Sequence, residues 1–353
     1  MLVQFYHPSA LTKDQLDQFL ANGWFRSSIM LHKSKVICLN ETIFSIVNIR
    51  LPLGGYALKK RHRKLFRKVL NNFEVIIQPA SITEEKNDLY NLHKKRFKGF
   101  VHNDLHQLMH AYFSDSVFET YEVAVYDQNK LIAFSFFDLG NTSMASILAV
   151  YDADYGRFSL GTFTMLAEIK FGQKMNLSYF YPGYVLDKPS EFDYKLTLGD
   201  MEYRNTEGDW LQREKVDFKD FPAFIINEKL EQILAALHLK GISAVLKYNP
   251  YYTVGYLDGF EDNASKSTGM IFIDFDKSKD QFIAFEYQQE SDTFLLSQFE
   301  RNYAMDHMFD MEITEELEDS EAYVHGLLSY ITPPVKSQSV EALLKHYQRL
   351  ISE

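Results

Sequence analysis

Residues 121–181 read YEVAVYDQNKLIAFSFFDLGNTSMASILAVYDADYGRFSLGTFTMLAEIKFGQKMNLSYFY, and the order of elements in this stretch decides the fold. Three of its segments are rich in β-branched and aromatic residues and predict strands, at 121–126, 131–139 and 145–150. The polar residues 127–129 form a turn between the first two, so we predict an antiparallel meander. The apolar spacing in 162–174 then predicts a helix, and residues 177–181 predict a further strand.

The segments upstream extend this pattern. Residues 13–22 place apolar side chains on one helical face, and residues 83–97 open with a capping-type Thr83, so both segments predict helices. Residues 43–51 predict a strand that ends at Pro52. Helices, three antiparallel strands, a helix and another strand is the order found in acyltransferases of the GNAT type. We therefore predict an α+β fold containing a GNAT-like domain, with helices and a mixed, largely antiparallel sheet.

A polar stretch after Trp210, QREKVDFKDFP, predicts a domain boundary. Beyond it, residues 228–239 and 340–351 predict helices, and four segments between polar turns predict strands, at 251–257, 269–275, 282–287 and 293–298. This region predicts a smaller C-terminal α+β domain. We expect three units, namely an N-terminal module with a basic helix, a GNAT-like transferase domain and a C-terminal accessory domain, at residues 1–75, 76–212 and 213–353.

Charge and cysteine content restrict the classes of partner. A net charge of -11 over 353 residues argues against a protein that coats nucleic acid, so we predict no DNA partner and expect any RNA contact to be a local patch. The N-terminus has no leader pattern and no apolar run is long enough to span a bilayer, so we expect a cytoplasmic protein without a membrane partner.

The single cysteine, Cys38, excludes an internal disulfide and a cysteine cluster. His102, His106 and His110 recur at every fourth residue, too spread to share one ion, and we predict no metal.

Two stretches carry a family resemblance: residues 131–166, which contain YDADYGRFSLGT, and residues 179–210, which contain YFYPGY and then DYK before a closing GDW. The order and spacing of these blocks resemble the C-terminal half of the arginyl- and leucyl-tRNA protein transferases. The corresponding family blocks are YDxDYxRFSLGT, YxYPGY, DYK and GxW. Weaker similarity extends upstream, at Gly23-Trp24-Phe25-Arg26-Ser27, at Arg50-Leu51-Pro52-Leu53 and at Tyr90 with Arg96 and Gly99.

The resemblance implies an enzyme that moves an amino acid, of the arginine or leucine class, from an aminoacyl-tRNA to the N-terminal amine of an acceptor protein. Aminoacyl-tRNA is then the co-substrate, and no other cofactor is implied. The family's N-terminal module usually carries several closely spaced cysteines just before the equivalent of Arg50, but residues 40–46 of this chain contain none. Whatever those thiolates do in the family, this chain cannot do with cysteine.

The implied chemistry depends mainly on positioning, because an aminoacyl ester is already activated. Amide formation requires a neutral amine against the ester carbonyl, a stabilised oxyanion and a proton for the tRNA 3′ oxygen. The resemblance places the tyrosine and lysine of the DYK block at the active cleft, here Tyr194 and Lys195. We predict that Glu191 or Asp193 accepts a proton from the amine. Tyr194 or Tyr184 donates a proton to the leaving oxygen, and Lys195 holds the acceptor-stem phosphate or the oxyanion.

The RFSLGT block, residues 157–162, places a glycine and two hydroxyls where a loop enters a helix. Backbone N–H groups at a helix start can face a phosphate or a developing negative charge. We therefore predict an aminoacyl- or phosphate-binding loop made by Arg157, Ser159, Gly161 and Thr162. The alternative is structural: a Ser/Thr helix cap with glycine for close packing.

A helix over residues 58–69 would direct four apolar side chains inward, Leu58, Leu65, Phe66 and Val69. We predict that its basic surface binds the tRNA backbone through Lys59, Lys60, Arg61, Arg63, Lys64, Arg67 and Lys68. An ordinary solvated helix face is the alternative. If the acceptor begins with an acidic residue, as in the family, its pocket needs a cation, and Arg26 and Arg50 are the candidates.

Two other functions are alternatives. A GNAT-type N-acetyltransferase using acetyl-CoA would share the strand order, and the spacing from Arg157 to Gly161 is similar to its pyrophosphate loop, although one small residue of that signature is absent. A non-catalytic adaptor would keep the fold and use the C-terminal domain for protein contacts. Which amino acid is transferred depends on the tRNA and on a pocket whose lining one sequence does not define.

Overall fold

The computed structural model describes residues 1–98, 100–109, 116–257, 263–273, 280–302, 311–313 and 319–350. Within these ranges the helices are α1 (Lys13–Ala21), α2 (Lys60–Leu70), α3 (Glu84–His93), α4 (Leu105–Met109), α5 (Leu160–Lys174), α6 (Pro222–Leu239) and α7 (Val340–Leu350). None of them is both long enough and apolar enough to cross a membrane. Gly99 and His110, singled out in the sequence, lie outside the described residues.

The strands of the first 212 residues are β1 (Val3–Tyr6), β2 (Phe25–Ser27), β3 (Met30–Ser34), β4 (Val36–Leu39), β5 (Thr42–Pro52), β6 (Glu74–Pro79), β7 (Phe100–His102), β8 (Thr120–Asp127), β9 (Lys130–Leu139), β10 (Ser143–Tyr151), β11 (Tyr179–Tyr181), β12 (Tyr184–Leu186), β13 (Glu202–Arg204) and β14 (Trp210–Gln212). Those that follow are β15 (Ala244–Tyr248), β16 (Gly269–Ile273), β17 (Gln281–Gln288), β18 (Thr293–Arg301), β19 (Met311–Ile313), β20 (Leu328–Tyr330) and β21 (Val335–Ser337).

The largest sheet runs in the order β14-β13-β5-β11-β10-β9-β8-β6, with β4 and β12 also paired to β5. Strands β8, β9 and β10 form the predicted antiparallel meander. Helix α5 then returns the chain so that β11 lies parallel to β10, while β11 is antiparallel to β5. A parallel pair needs such a crossover helix. The prediction of a mixed, largely antiparallel sheet with helices is confirmed.

The parallel pairing of β10 with β11 is short and then opens. It covers only the register from Ser143 with Tyr179 to Ala145 with Tyr181. Beyond it, a bulge shifts β10 between Ser146 and Leu148. After β11 the backbone turns away from β10 at Gly183, whose φ of +97° suits glycine, and then pairs with β5 as strand β12. In the described part of the chain no strand pairs with the edge of β10 after Ala145, so an opening forms there.

The two faces of this sheet are covered differently. Helices α2 and α5 pack on one face, called the α5 face, where alternate strand residues such as Val123 and Phe137 join their core. Helices α3 and α4 pack on the other, the α3 face, against residues such as Phe134 and Phe136. Helix α1 and the three-stranded sheet β1-β3-β2 extend the cover on the α3 face. Side chains alternate between the faces because a strand has a period of two.

The C-terminal region forms a second antiparallel sheet, β15-β16-β17-β18-β20, with β21 beside β18 and helix α6 packed against it. Its core includes Leu2 and Val3 of the N-terminal segment and Val36 of β4. Strand β5 contributes to both cores, because its Ile43 packs in this core and its Val47 packs in the core of the large sheet. The first 75 residues therefore contribute to the cores of both other units.

One predicted strand, at residues 251–257, is wrong. The segment is a 3-10 helix, Pro250–Tyr256, because Asn249 caps it by accepting a hydrogen bond from the backbone N–H of Tyr251 and Pro250 stands at its first position. The predicted helix at 83–97 ends earlier as an α-helix and continues as a 3-10 turn, Lys94–Arg96. Residues 274–275 of another predicted strand lie outside the described residues.

Candidate active site

A cavity of about 490 Å³ lies where β10 separates from β11, and it is called the first cavity. Its walls are the edge of β10 at Ala145–Ala149, the turn at Tyr181–Tyr184 and the 3-10 helix Glu191–Thr197. Helix α1 and the turn into β2 close the side on the α3 face through Leu16, Leu20, Trp24 and Phe25. Ligands bind preferentially outside the carboxyl ends of parallel strands, where this opening lies.

Lys195 is a buried cation that lines the first cavity. It is 9% exposed, and its Nζ donates to the backbone carbonyl oxygen of Tyr184 at 3.0 Å. The rings of Tyr184 and Phe192 lie about 5.0 Å from Nζ, but no carboxylate of the described residues forms an ion pair with it. Burial lowers the pKa of Lys195 to about 8. A buried ammonium with one of its three donors used can bind a developing oxyanion or a phosphate.

The two tyrosines predicted as proton donors also line the first cavity. Burial raises the pKa of Tyr184 to about 12, so its hydroxyl keeps its proton at neutral pH and can donate a hydrogen bond. Tyr194 stands nearer the mouth, with 46% of its surface exposed. The structure therefore brings Tyr184, Tyr194 and Lys195 to the same cavity.

The two predicted proton acceptors are placed differently. Glu191 lines the first cavity, and its Oε1 lies 3.5 Å from Lys98 Nζ at the surface. Asp193 is half-buried on the same 3-10 helix and lines neither this cavity nor the adjoining one. Of the two carboxylates, Glu191 is the one that lines the first cavity.

The RFSLGT block begins helix α5 on the α5 face. Ser159, the residue before the helix, has a left-handed backbone with φ of +47°, and its side chain makes no capping bond. The alternative that Ser159 caps the helix is therefore wrong. The backbone N–H groups of Leu160, Gly161 and Thr162 have no acceptor recorded within the described residues. Gly161 lies against the ring of Tyr151 at the end of β10, beside the opening rather than inside it.

The basic helix α2 packs directly beside this block. Lys68 Nζ donates to the carbonyl oxygen of Arg157 at 2.9 Å and lies 4.4 Å from the ring of Phe158. Leu58, Leu65, Phe66 and Val69 pack inward as predicted, and all seven candidate cations of this segment are exposed. Burial, followed by the charges of Arg61 and Lys59, lowers the pKa of His62, which indicates locally positive potential.

Both candidate cations for an acidic acceptor already have carboxylate partners. Arg26 lines the first cavity, but its Nη1 donates to Asp138 Oδ1 at 2.9 Å, and the two side chains are only 4% and 1% exposed. Arg50 Nε donates to Glu202 Oε2 at 2.7 Å, and its guanidinium is stacked between the rings of Tyr179 and Trp210. Neither charge is left uncompensated for a substrate carboxylate.

We expect Arg50→Met to lower stability without changing the acceptor preference. The substitution removes the hydrogen bond to Glu202 and the contacts between the guanidinium and two rings, at a cost of about 1–3 kcal/mol. Chemical denaturation measures the loss, and transfer to peptides with acidic and neutral first residues measures the preference. If stability were unchanged and the preference for acidic first residues were lost, the result would instead support Arg50 as the cation of the acceptor pocket.

Three residues that line the first cavity each have a buried polar atom without a hydrogen-bond partner among the described residues: His32 Nδ1, Asn48 Oδ1 and Asp138 Oδ2. Burial lowers the pKa of His32 to about 4, so this imidazole is neutral at physiological pH. The sequence reasoning missed all three residues. Asp138 had a visible signal, since it is the one charged residue in the run LIAFSFFDL, whereas nothing local marks His32 or Asn48.

Comparisons with known proteins identify what the chain is similar to. Residues 84–205 match the family model described as Arginine-tRNA-protein transferase, C terminus. A protein of Leptospira interrogans named aspartate/glutamate leucyltransferase is 24% identical over 218 residues, covering 60% of this chain and 83% of the relative. A protein of the same name from Campylobacter jejuni is 27% identical over 201 residues, 55% of this chain and 81% of the relative.

Among solved structures, the crystal structure of FemX is 8% identical with a TM-score of 0.33, and the match covers 56% of this chain and 68% of that one. The blocks that first suggested the family, residues 151–162 and 179–195, fall within the region matched by the family model. The family model over residues 84–205 and these relatives support the aminoacyl-tRNA protein transferase family for this chain, which is a transferase.

Proposed function

We propose that this chain transfers leucine from leucyl-tRNA to the N-terminal amine of an acceptor protein whose first residue is acidic. The observation that carries the proposal is the first cavity: its opening between β10 and β11 presents Lys195, Tyr184 and Tyr194 together. The basic helix α2 and the start of α5 lie beside the same end of β10. The family provides the kind of reaction, and the relatives' name supports leucine as donor and aspartate or glutamate as acceptor.

In the proposed reaction the acceptor amine attacks the ester carbonyl carbon, an amide bond forms and the bond to the tRNA 3′ oxygen breaks. Lys195 stabilises the oxyanion, because its buried ammonium uses one N–H donor for the carbonyl oxygen of Tyr184 and can donate another to the oxyanion. Glu191 takes the proton that the amine loses. Tyr184 or Tyr194 donates a proton to the departing oxygen, so the proton balance closes without any further reactant. Aminoacyl-tRNA is the only co-substrate that this scheme requires.

The tRNA reaches the opening from the α5 face in this proposal. The exposed cations of α2 bind its phosphates. The N–H groups at the start of α5, which have no acceptor among the described residues, face the last phosphates of the acceptor end. The contact between Lys68 and Arg157 fixes these two elements side by side. The esterified 3′ end then passes between β10 and β11 into the first cavity.

The lining of the first cavity favours leucine over arginine as the transferred amino acid. The side on the α3 face is apolar, with Leu16, Leu20 and Phe25. The only carboxylates lining this cavity within the described residues are Asp138, which is paired with Arg26, and Glu191, which is paired with Lys98. A guanidinium would lose its hydration there without gaining an unshared partner, whereas a leucine side chain buries apolar surface.

The test is incubation with individually charged, radiolabelled aminoacyl-tRNAs and peptides that differ only in their first residue. We expect label from leucyl-tRNA on peptides beginning with Asp or Glu. Transfer from arginyl-tRNA alone would overturn the donor assignment but keep the reaction. Acetylation of peptides from acetyl-CoA, or no transfer from any aminoacyl-tRNA, would overturn the proposed function in favour of the acetyltransferase or the adaptor.

A further inference from the structure

A second cavity of about 760 Å³ adjoins the first one on the α3 face. The two cavities share the lining residues His32, Phe97, Tyr184, Glu191 and Phe192. Besides these shared residues, the second cavity is lined by the N-terminal strands, by the region from α3 to α4 and by the C-terminal domain. The C-terminal domain contributes Pro250, Tyr252 and Thr253 of the 3-10 helix Pro250–Tyr256.

This contribution is held in place by contacts with the N-terminal strands. The Tyr252 hydroxyl donates to the carbonyl oxygen of Val36 at 2.7 Å and lies 3.0 Å from Ser34 Oγ. Cys38 of the same strand approaches the carbonyl oxygen of Asn249 at 3.5 Å. The 3-10 helix that carries Thr253 is therefore fixed against the N-terminal strands, and this part of the cavity wall is held by direct contacts.

The position of the cavity identifies its occupant, given the proposed function. The donor side of the opening, with α2 and the start of α5, is on the α5 face, whereas both cavities face the α3 side. In the proposed reaction the acceptor amine must reach the carbonyl carbon of the aminoacyl ester, and the tRNA occupies the α5 face. The acceptor chain then reaches the amine position from the other face, and the second cavity is the space that leads there.

The charges at the rim match an acidic acceptor. Arg96 lines the second cavity, is exposed and forms no ion pair or hydrogen bond recorded within the described residues, resting on the ring of Tyr151 at 5.0 Å. Lys98 lines the same rim and pairs with Glu191 at 3.5 Å. Burial is the main cause that lowers the pKa values of His32 and His102, so both imidazoles in the wall are neutral. The Asp152 carboxylate is near enough to Arg96 to interact with it electrostatically, but its ion pair is with Lys130. Within the described residues, Arg96 thus adds to the rim a positive charge that forms no ion pair of its own.

We propose that the second cavity receives the first residues of the acceptor chain, that Arg96 pairs with the acidic side chain of its first residue, and that the C-terminal domain forms one wall through Thr253. This assignment rests on the proposed function for the identity of the acceptor. It gives residues 213–353 a direct part in acceptor binding, and it replaces Arg26 and Arg50 as the cations of the acceptor pocket.

Binding of a fluorescent peptide with Glu as first residue, measured by anisotropy without tRNA, tests the proposal. Arg96→Glu should weaken this binding about tenfold or more and strengthen binding of the matching peptide with Lys as first residue, because the charge at the rim is reversed. Lys240→Glu makes the same charge change at an exposed position of the C-terminal domain that lines neither cavity, and it should leave both affinities unchanged.

The wall is tested separately by Thr253→Trp, which fills part of the cavity, and by Thr253→Ala, which does not. We expect the first to weaken peptide binding about tenfold while affinity for leucyl-tRNA stays within about twofold, and the second to leave both unchanged. Val245→Trp, at an exposed position of the same domain, is the control. Unchanged peptide affinity in Arg96→Glu and folded Thr253→Trp would overturn this inference, whereas failure of the wild type to transfer leucine would overturn the proposed function instead.

Discussion

Replacing Lys195 by methionine will lower the rate of transfer by about 100- to 1,000-fold, the usual cost of losing one donor to an oxyanion. The side chain keeps its length and apolar stem, but the ammonium that faces the first cavity is gone. The KM for aminoacyl-tRNA should change little, because this interaction forms in the transition state. Single-turnover transfer from leucyl-tRNA to a peptide measures the effect.

The melting temperature of Lys195→Met distinguishes the oxyanion role of Lys195 from a purely structural role. Burial without a carboxylate partner lowers the pKa of Lys195 from its ordinary 10.5 to about 8, so the folded state holds the proton more weakly than the unfolded chain. Folding stability is therefore reduced below pH 8 and recovers as pH rises from 8 to 10.5. At neutral pH, Lys195→Met should melt no lower than wild type. A fall in activity that merely follows a fall in melting temperature would contradict the oxyanion role.

The same pKa predicts the alkaline limb of the pH profile. The ammonium is present below pH 8 and is lost above it, so wild-type transfer should decline above pH 8. Lys195→Arg, whose guanidinium stays charged, should lose this limb even if its rate is lower throughout. Lys188→Met is a matched control at an exposed position seven residues away, and it should leave the rate and the profile as in wild type.

Elements set by local pattern were predictable from the sequence. The meander of β8, β9 and β10 and helix α5 follow from alternation and helical spacing within one continuous stretch. The buried side of α2 was equally visible, because Leu65, Phe66 and Val69 are spaced for one helical face. The DYK segment was found through the family blocks, and the structure brings its tyrosine and lysine to the first cavity.

Features that depend on distant pairing were not visible. Strand β5 lies between β11 and β13, so Asn48 meets a cavity that is also lined by Asp138, by Ala145–Ala149 and by Lys195, which are 90 or more positions away. The sequence around Arg26 and Arg50 does not show that their charges are neutralised. Their partners Asp138 and Glu202 are 112 and 152 residues distant along the chain. The role of the segment at 250–256 in a cavity wall likewise depends on how two sheets pack.

Neutralising Lys60, Lys64 and Arg67 together with alanine will weaken binding of leucyl-tRNA by about 100-fold or more at 0.1 M salt. These three cations are exposed and have no ion pair or hydrogen bond recorded within the described residues, unlike Lys59, Arg61, Arg63 and Lys68. Each phosphate contact adds about 0.7–0.9 to the slope of log affinity against log salt, so the slope should fall by about 2–3. A salt titration of tRNA binding measures both quantities.

The triple variant isolates the RNA contact because it removes no internal interaction. Its stability should stay within about 0.5 kcal/mol of wild type, as expected for exposed substitutions, and alanine suits a helix. Peptide binding should not change, since α2 lies on the α5 face and the second cavity does not. Alanine at Lys240, Lys345 and Arg349, three exposed cations of the C-terminal domain, removes the same total charge as a control. If this control loses tRNA affinity and salt dependence to the same extent, the attraction is a property of net charge, and α2 is only a solvated helix.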